Sequence, residues 1–192
     1  PKSEDAGAKL LSAHDRLAAL GPAYFSVTYG AGGSTKDGTK QAVIDIRAKG
    51  SDVAPHLSFG GDSADKIEAL LSEYKNANVT RVVARRGDMP SGMGGSVRLT
   101  YANELVDFIR EKTGDHFHIE VAAYPEVHPD SRSVESDLDF FKAKVDAGAN
   151  SAITQYFYNP AAYFNFIDAC EKKGVSIPII PGIMPISNFQ TL

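Results

Sequence analysis

Apolar residues in this chain recur at helical spacing in four segments. Ile67, Leu70, Leu71 and Tyr74 fall at i, i+3, i+4 and i+7; Ala102, Leu105, Val106 and Ile109 repeat the spacing, as do Tyr163, Phe166, Ile167 and Cys170. Val134, Leu138, Phe141 and Val145 follow a close variant. Each pattern lays one apolar stripe along a helix, and that stripe must pack on something. Leu10, Leu11, His14, Leu17 and Ala18 predict a further helix near the start, and Gln41 to Ile46 a shorter one. Between these helices lie short apolar runs: Tyr24 to Thr28, Val53 to Leu57, Arg81 to Ala84, Ile119 to Ala123, Ala152 to Phe157 and Ile177 to Ile183. Their unbroken apolarity suits parallel strands covered on both faces. Gly114, Gly148 and Gly174 stand where helices should end.

Strict alternation of strand and helix leaves two α/β architectures, a doubly wound open sheet or a barrel. Six strands are two short of a (β/α)8 TIM barrel. One strand missing before Pro1 and one after Leu192 would close the count, and both ends look cut. Residue 1 is proline, and Ser187 would cap a helix whose body is lacking. The expectation is a single catalytic barrel domain over residues 1–192, incomplete, with the first and last strands missing. No charge block or Gly/Ser linker divides it.

Composition changes this picture little. The chain has 192 residues, 43% hydrophobic and 23% charged, with a net charge of −4, which suits a globular protein. It has no Lys/Arg-rich run, so nucleic-acid binding is not expected. No stretch approaches the roughly 18 apolar residues that cross a bilayer, and the residues Pro1 to Asp5 do not resemble a signal peptide. The lone Cys170 lies on an apolar stripe and reads as structural. The default compartment is the cytoplasm.

Polar chemistry gathers where the strands should end. These ends are Thr28-Tyr29-Gly30-Ala31-Gly32-Gly33, Ala54-Pro55-His56, Arg86-Gly87-Asp88-Met89-Pro90, Ala123 to Pro129, Thr154-Gln155 and Pro181 to Pro185. Counted from Thr28, Ala54, Asp88, Ala123, Thr154 and Pro181, they recur every ~26 to 35 residues, the length of one strand-plus-helix unit, and a (β/α) barrel builds its active site at that edge. The glycine-rich stretch from Gly30 lacks both the Walker ending and GxGxxG spacing, so a tight turn and a ligand loop remain equal readings. Arg86-Gly87-Asp88 offers a donor fork and a carboxylate beside a glycine that admits close approach. His56 has a competing role as a satisfied core histidine. Tyr124, Glu126 and His128 cluster around two prolines without forming a zinc motif. Gln155, if buried, needs a partner that a ligand could supply. The aromatics from Tyr156 to Phe166 read as packing between helix and sheet. No nucleophile elbow and no strand lysine point to hydrolysis or Schiff-base chemistry.

Taken together, these strings resemble the methylenetetrahydrofolate reductase family. The matching pieces are Ser26 to Ala31, Ala54 to Leu57, Arg86 to Pro90, Tyr101 to Val106, Val121 to Pro129, Asp146 to Ala149, Ile153 to Phe157 and Pro181 to Pro185. The resemblance implies a flavoprotein barrel that reduces 5,10-methylenetetrahydrofolate to 5-methyltetrahydrofolate, with NADH or NADPH giving hydride to FAD and the folate taking it. It places Thr28, Tyr29, Ala31, His56, Arg86, Gly87, Asp88, Tyr101, Ala102, Tyr124 and His128 along FAD, with Asp137 and Lys144 at its ribose or phosphate portion. Asp88 and Gln155 would be the catalytic and substrate-binding pair: Asp88 beside the flavin ring, disfavouring charge on the reduced ring, and Gln155 on the folate pterin or nicotinamide. A homo-oligomer is compatible with the family.

There are departures. The family's first strand carries Glu-Phe-Phe-Pro-Pro, whose Glu is the acid that opens the folate's methylene bridge; Pro1-Lys2 matches only the end of that string. Arg85 replaces an apolar residue, Ala143 a basic one of some members, and Phe59-Gly60-Gly61 a stretch often holding Cys or Thr. A second reading follows, a truncated or degenerate flavin-binding barrel that does not reduce folate.

Overall fold

A computed structural model describes residues 4–28, 36–59, 62–86, 101–186 and 188. Helix and strand alternate without exception among them, from α1 (Glu4–Ala18) to β6 (Ile179–Ile180). The chain divides into two compact units, Pro1–Ile119 and Glu120–Leu192.

In the first unit β1 (Phe25–Val27), β2 (Val53–Leu57) and β3 (Arg81–Ala84) are parallel neighbours in chain order. Ser26 lies opposite Ala54 and His56 opposite Val83, so like ends of the strands come together. β2 and β3 are buried along most of their length, with His56 and Arg81 half-buried, whereas Ser26 in β1 is exposed. Val53, Ala54, Leu57, Val82 and Ala84 are all buried. They are covered by stripes from α2 (Lys36–Ala48), α3 (Ala64–Asn76) and α4 (Ala102–Thr113). Those stripes are Ala42, Val43 and Ile46; Ile67, Leu71 and Tyr74; and Leu105, Val106 and Ile109.

The second unit takes in most of β4 (His118–Ala123), then β5 (Ser151–Thr154) and β6, again parallel and in order. α5 (Val134–Asp146) and α6 (Pro160–Lys172) join them and meet through Phe141 and Phe166, whose rings lie 5.5 Å apart. Gly114, Gly148 and Gly174 follow helix ends with φ of 58°, 110° and 76°, the left-handed backbone that favours glycine there.

The fold class is α/β, a run of parallel strands with intervening helices, as in a (β/α)8 barrel short of two strands. Several element bounds differ from expectation: β1 is trimmed to Phe25–Val27 and α1 starts at Glu4, and three further differences have a physical reason. α2 begins at Lys36 rather than Gln41 because its first turns carry no apolar pattern to betray them. β5 stops at Thr154, which leaves Gln155 outside the strand. β6 shrinks to Ile179–Ile180 between Pro178 and Pro181, residues that have no N–H to give a ladder. The expected cap at Ser187 lies outside the described residues.

Candidate active site

In the first unit the site residues sit at the C-terminal ends of β1 to β3. His56 is half-buried near the end of β2, and its Nε2 lies 2.6 Å from the Ser26 hydroxyl on β1. Its other ring nitrogen, Nδ1, is buried with no hydrogen-bond partner among the described residues. Burial, with a smaller contribution from the Arg85 charge, lowers its pKa to about 4, so the ring is neutral at pH 7. Buried polar groups are paired as a rule. An orphaned nitrogen at a strand's C-terminal end is what a hydrogen-bonding ligand would complete.

Thr28 follows β1 directly and is exposed, and its carbonyl accepts from the Thr39 hydroxyl at 3.1 Å. Arg86 lies exposed two residues past β3, while the Arg85 backbone N–H donates to the Leu57 carbonyl at 2.8 Å and prolongs the β2–β3 pairing. Tyr101 precedes α4, and its backbone N–H donates to Glu104 Oε2 at 2.9 Å; Ala102 is the first helical residue. Tyr101 itself is 47% exposed. Tyr29, Ala31, Gly87 and Asp88 lie outside the described residues, as does the glycine-rich stretch.

In the second unit the loop after β4 builds a linked set. The Tyr124 and His128 rings meet edge to face, with centroids 4.5 Å apart. Asp137, on the first turn of α5, holds both ends of the segment. Its carboxylate accepts from the His128 backbone N–H at 3.2 Å and from the Ser131 hydroxyl at 2.9 Å. The Asp130 N–H donates to His128 Nδ1 at 3.0 Å. Ser133 caps α5 by accepting the Ser136 N–H at 3.1 Å. Lys144 donates to the Ala122 carbonyl at 2.5 Å, and its ammonium lies 5.4 Å from the centre of the Phe141 ring. Burial lowers its pKa to about 8, with Asp137 opposing the shift.

Gln155 is exposed rather than buried in a strand. Its backbone N–H donates to the Ala123 carbonyl at 2.8 Å, and its side-chain oxygen accepts the Tyr156 N–H. The premise that a buried amide demands a ligand is therefore removed. Thr154, buried beside it, accepts the Gly182 N–H at 2.9 Å. A Cβ on Gly182 would lie 2.1 Å from the Thr154 carbonyl oxygen, so only glycine fits there.

A cleft of about 170 Å³ opens between this loop, α5 and α6, lined in part by Tyr124, Val127, Leu138, Asn165 and Phe166. Pockets that hold cofactors usually measure about 300–1,000 Å³, so this one is a seam beside the loop.

Sequence reasoning missed Ser26 and Ser131. Ser26 stands two residues before Thr28 and therefore on the same strand face, a signal that alternation could have supplied. Ser131 carried none. The aromatic segment divides: Phe157 stacks on Tyr163 at 5.3 Å, as packing required, whereas Phe164 is 63% exposed and Tyr156 and Tyr158 also face outward. Phe59 packs edge to face on Phe108 of α4 at 5.4 Å, so its bulk belongs to helix packing. Cys170 is buried, and burial pushes its thiol up to about 11, which suits its structural reading.

Within the first unit, His56 Nδ1 lacks a partner among the described residues and could take one from a hydrogen-bonding ligand; within the second, Lys144 is a part-buried cation beside the loop after β4. Among the described residues no helix is long and apolar enough to cross a membrane.

Comparison with solved structures finds phosphonopyruvate hydrolase (TM-score 0.56, 12% identity, 81% of this chain and 54% of that one). It also finds 2,3-dimethylmalate lyase (TM-score 0.56, 11% identity, 89% and 70%). At such identity these likenesses concern the fold alone. Sequence relatives are nearer. The 5,10-methylenetetrahydrofolate reductase of Escherichia coli K12 is 41% identical over 99% of this chain, and that of Pectobacterium carotovorum is 42% identical over 100%. The chain spans 63% of the length of each. Methylenetetrahydrofolate reductase (NADH) 1 of Arabidopsis thaliana is 38% identical over 99% of the chain, which covers 34% of it. The family model for methylenetetrahydrofolate reductase matches residues 1–192. With the match running the whole length, through every strand end that carries a candidate side chain, the chain belongs to the methylenetetrahydrofolate reductase family.

Proposed function

We propose that the chain is the larger part of a catalytic domain that reduces 5,10-methylenetetrahydrofolate to 5-methyltetrahydrofolate in the cytoplasm, with FAD as bound cofactor and NADH or NADPH as donor. The observation that carries this reading is the 41% identity to a reductase of that name across 99% of the chain. The Nδ1 of His56 supports the cofactor half, because a bound ligand would supply the partner it lacks among the described residues. A relative named for NADH favours that donor.

A bound flavin supplies the relay of hydride from nicotinamide to folate, and the protein supplies binding and orientation. In this reading Thr28, Tyr29, Ala31, His56, Arg86, Gly87, Tyr101, Ala102, Tyr124 and His128 hold the cofactor. Lys144 neutralises charge at its phosphates, and Asp137 fixes the loop that presents His128. Asp88 keeps negative charge near the ring, and the exposed carboxamide of Gln155 orients folate or nicotinamide. The neutral state of His56 at pH 7 matters to its role, since it then offers one hydrogen bond without adding a charge. The protein would work as one catalytic domain, with self-association in the manner of a homo-oligomer.

The test is the visible spectrum of the purified chain with FAD, before and after anaerobic NADH. A flavin band that NADH bleaches and methylenetetrahydrofolate restores is the expected result. Failure to bind FAD would overturn the proposal. Bleaching without restoration by folate would favour the second reading, a flavin-binding barrel without folate reductase activity.

A further inference from the structure

Val127 has a φ of +69°, in the left-handed region. A β-branched residue there is a true outlier, because its branched Cβ crowds the backbone. Glycine or asparagine would adopt the same backbone at lower cost. Such strain persists where the surroundings over-determine it, and it clusters at ligand-binding segments. The surroundings here are explicit. The Val127 N–H closes a turn on the Tyr124 carbonyl at 3.2 Å. The next residue, His128, is held at four points: its backbone N–H by Asp137, its carbonyl by the Ser131 N–H at 2.9 Å, its Nδ1 by the Asp130 N–H, and its ring by an edge-to-face contact with Tyr124. The Val127 side chain lines the seam between the loop, α5 and α6.

These bonds also decide the chemistry of the ring. With Nδ1 accepting the Asp130 N–H, the neutral imidazole carries its proton on Nε2. His128 is thereby a donor through Nε2, suited to an acceptor atom of a ligand. We propose that Val127 is a positioning residue. Its left-handed backbone turns the chain so that His128 meets Asp130, Asp137 and Tyr124 together and presents Nε2–H outward. The inference deepens the proposed function and rests on the reading that His128 faces the flavin.

The test compares Val127→Gly and Val127→Asn in the 192-residue chain. Asparagine keeps the left-handed backbone, whereas glycine admits many others. FAD affinity should fall about tenfold in Val127→Gly and hold near wild type in Val127→Asn. Relief of strain in Val127→Asn should raise Tm by about 2 °C. The ¹⁵N shifts of His128 should report the Nε2–H form in wild type and in Val127→Asn, and a mixture of forms in Val127→Gly. Affinity and Tm falling together in both variants would overturn the proposal, because Val127 would then matter only as packing. Wild-type affinity and tautomer in Val127→Gly would also overturn it. Should the wild type bind no FAD, the flavin reading fails, and the tautomer comparison alone decides the role of Val127.

Discussion

Two histidines stand near the C-terminal ends of strands, and they are held in opposite ways. His56 belongs to β2 itself. One ring nitrogen meets a serine on the neighbouring strand, and the other is buried without a partner among the described residues. His128 belongs to a loop, and its backbone, Nδ1 and ring are all engaged within the protein. A strand is positioned by the ladder and the core beneath it, so a side chain on it can be left unsatisfied without moving. A loop has no such support. Its side chains must be tied by local bonds, and here the tie includes a strained residue. Orphaned polarity marks the site where the scaffold is rigid; internal satisfaction and backbone strain mark it where the scaffold is a loop.

The contrast can be broken first through pH. Proton uptake by His56 is easier in the unfolded chain, because its folded pKa of about 4 lies below the usual 6.5. Its penalty is absent above about pH 6.5, grows as pH falls, and is complete near pH 4, where it reaches about 3 kcal/mol. Urea unfolding at several pH values should show this loss in wild type. His56→Leu should flatten it, because an apolar side chain removes both the titration and the orphan. An unchanged pH dependence in that variant would place the titration elsewhere.

Asp137→Ala should act oppositely. It removes the acceptor of two hydrogen bonds that fix the His128 loop. The expected loss is about 2 kcal/mol at neutral pH, and FAD affinity should fall with it. A variant of normal stability and weakened FAD binding would instead make Asp137 a direct ligand contact.

Ser133→Ala sharpens the comparison as a control. The cap it removes belongs to α5 but not to the histidine loop, so unfolding should cost about 1 kcal/mol with FAD titration unchanged. The smallest effect is expected from Ser26→Ala. Ser26 is exposed, and its bond to His56 is worth roughly 0.5–1 kcal/mol. It should appear mainly as a change in the His56 ring shifts on NMR titration.

Much of this was legible in residue order. Helical stripes such as Leu105, Val106 and Ile109 and apolar runs such as Val53 to Leu57 announce their elements, because burial of one stripe or both strand faces is a local pattern. The start of α2 was not legible, because Lys36 to Lys40 carry no stripe. The end of β5 was not either, since Gln155 follows Thr154 without any breaker. Among site residues, His56 and His128 were visible as types in suggestive places, and the strings around them pointed to the family. Their hydrogen-bond states were not visible, because each depends on a residue brought in by folding: Ser26 from another strand for His56, and Asp137 from a helix nine residues on for His128.

The sequence by itself determined the alternation of strands and helices, the strand ends where polar side chains collect, and the family to which they belong. All three follow from periodicity and local strings, which need no partner from afar. Only tertiary structure decided that His56 keeps a buried nitrogen without a partner among the described residues, that Gln155 lies exposed, and that Val127 takes a left-handed backbone. Burial and hydrogen-bond satisfaction are properties of the environment around a residue, and no residue carries its environment in its own letter.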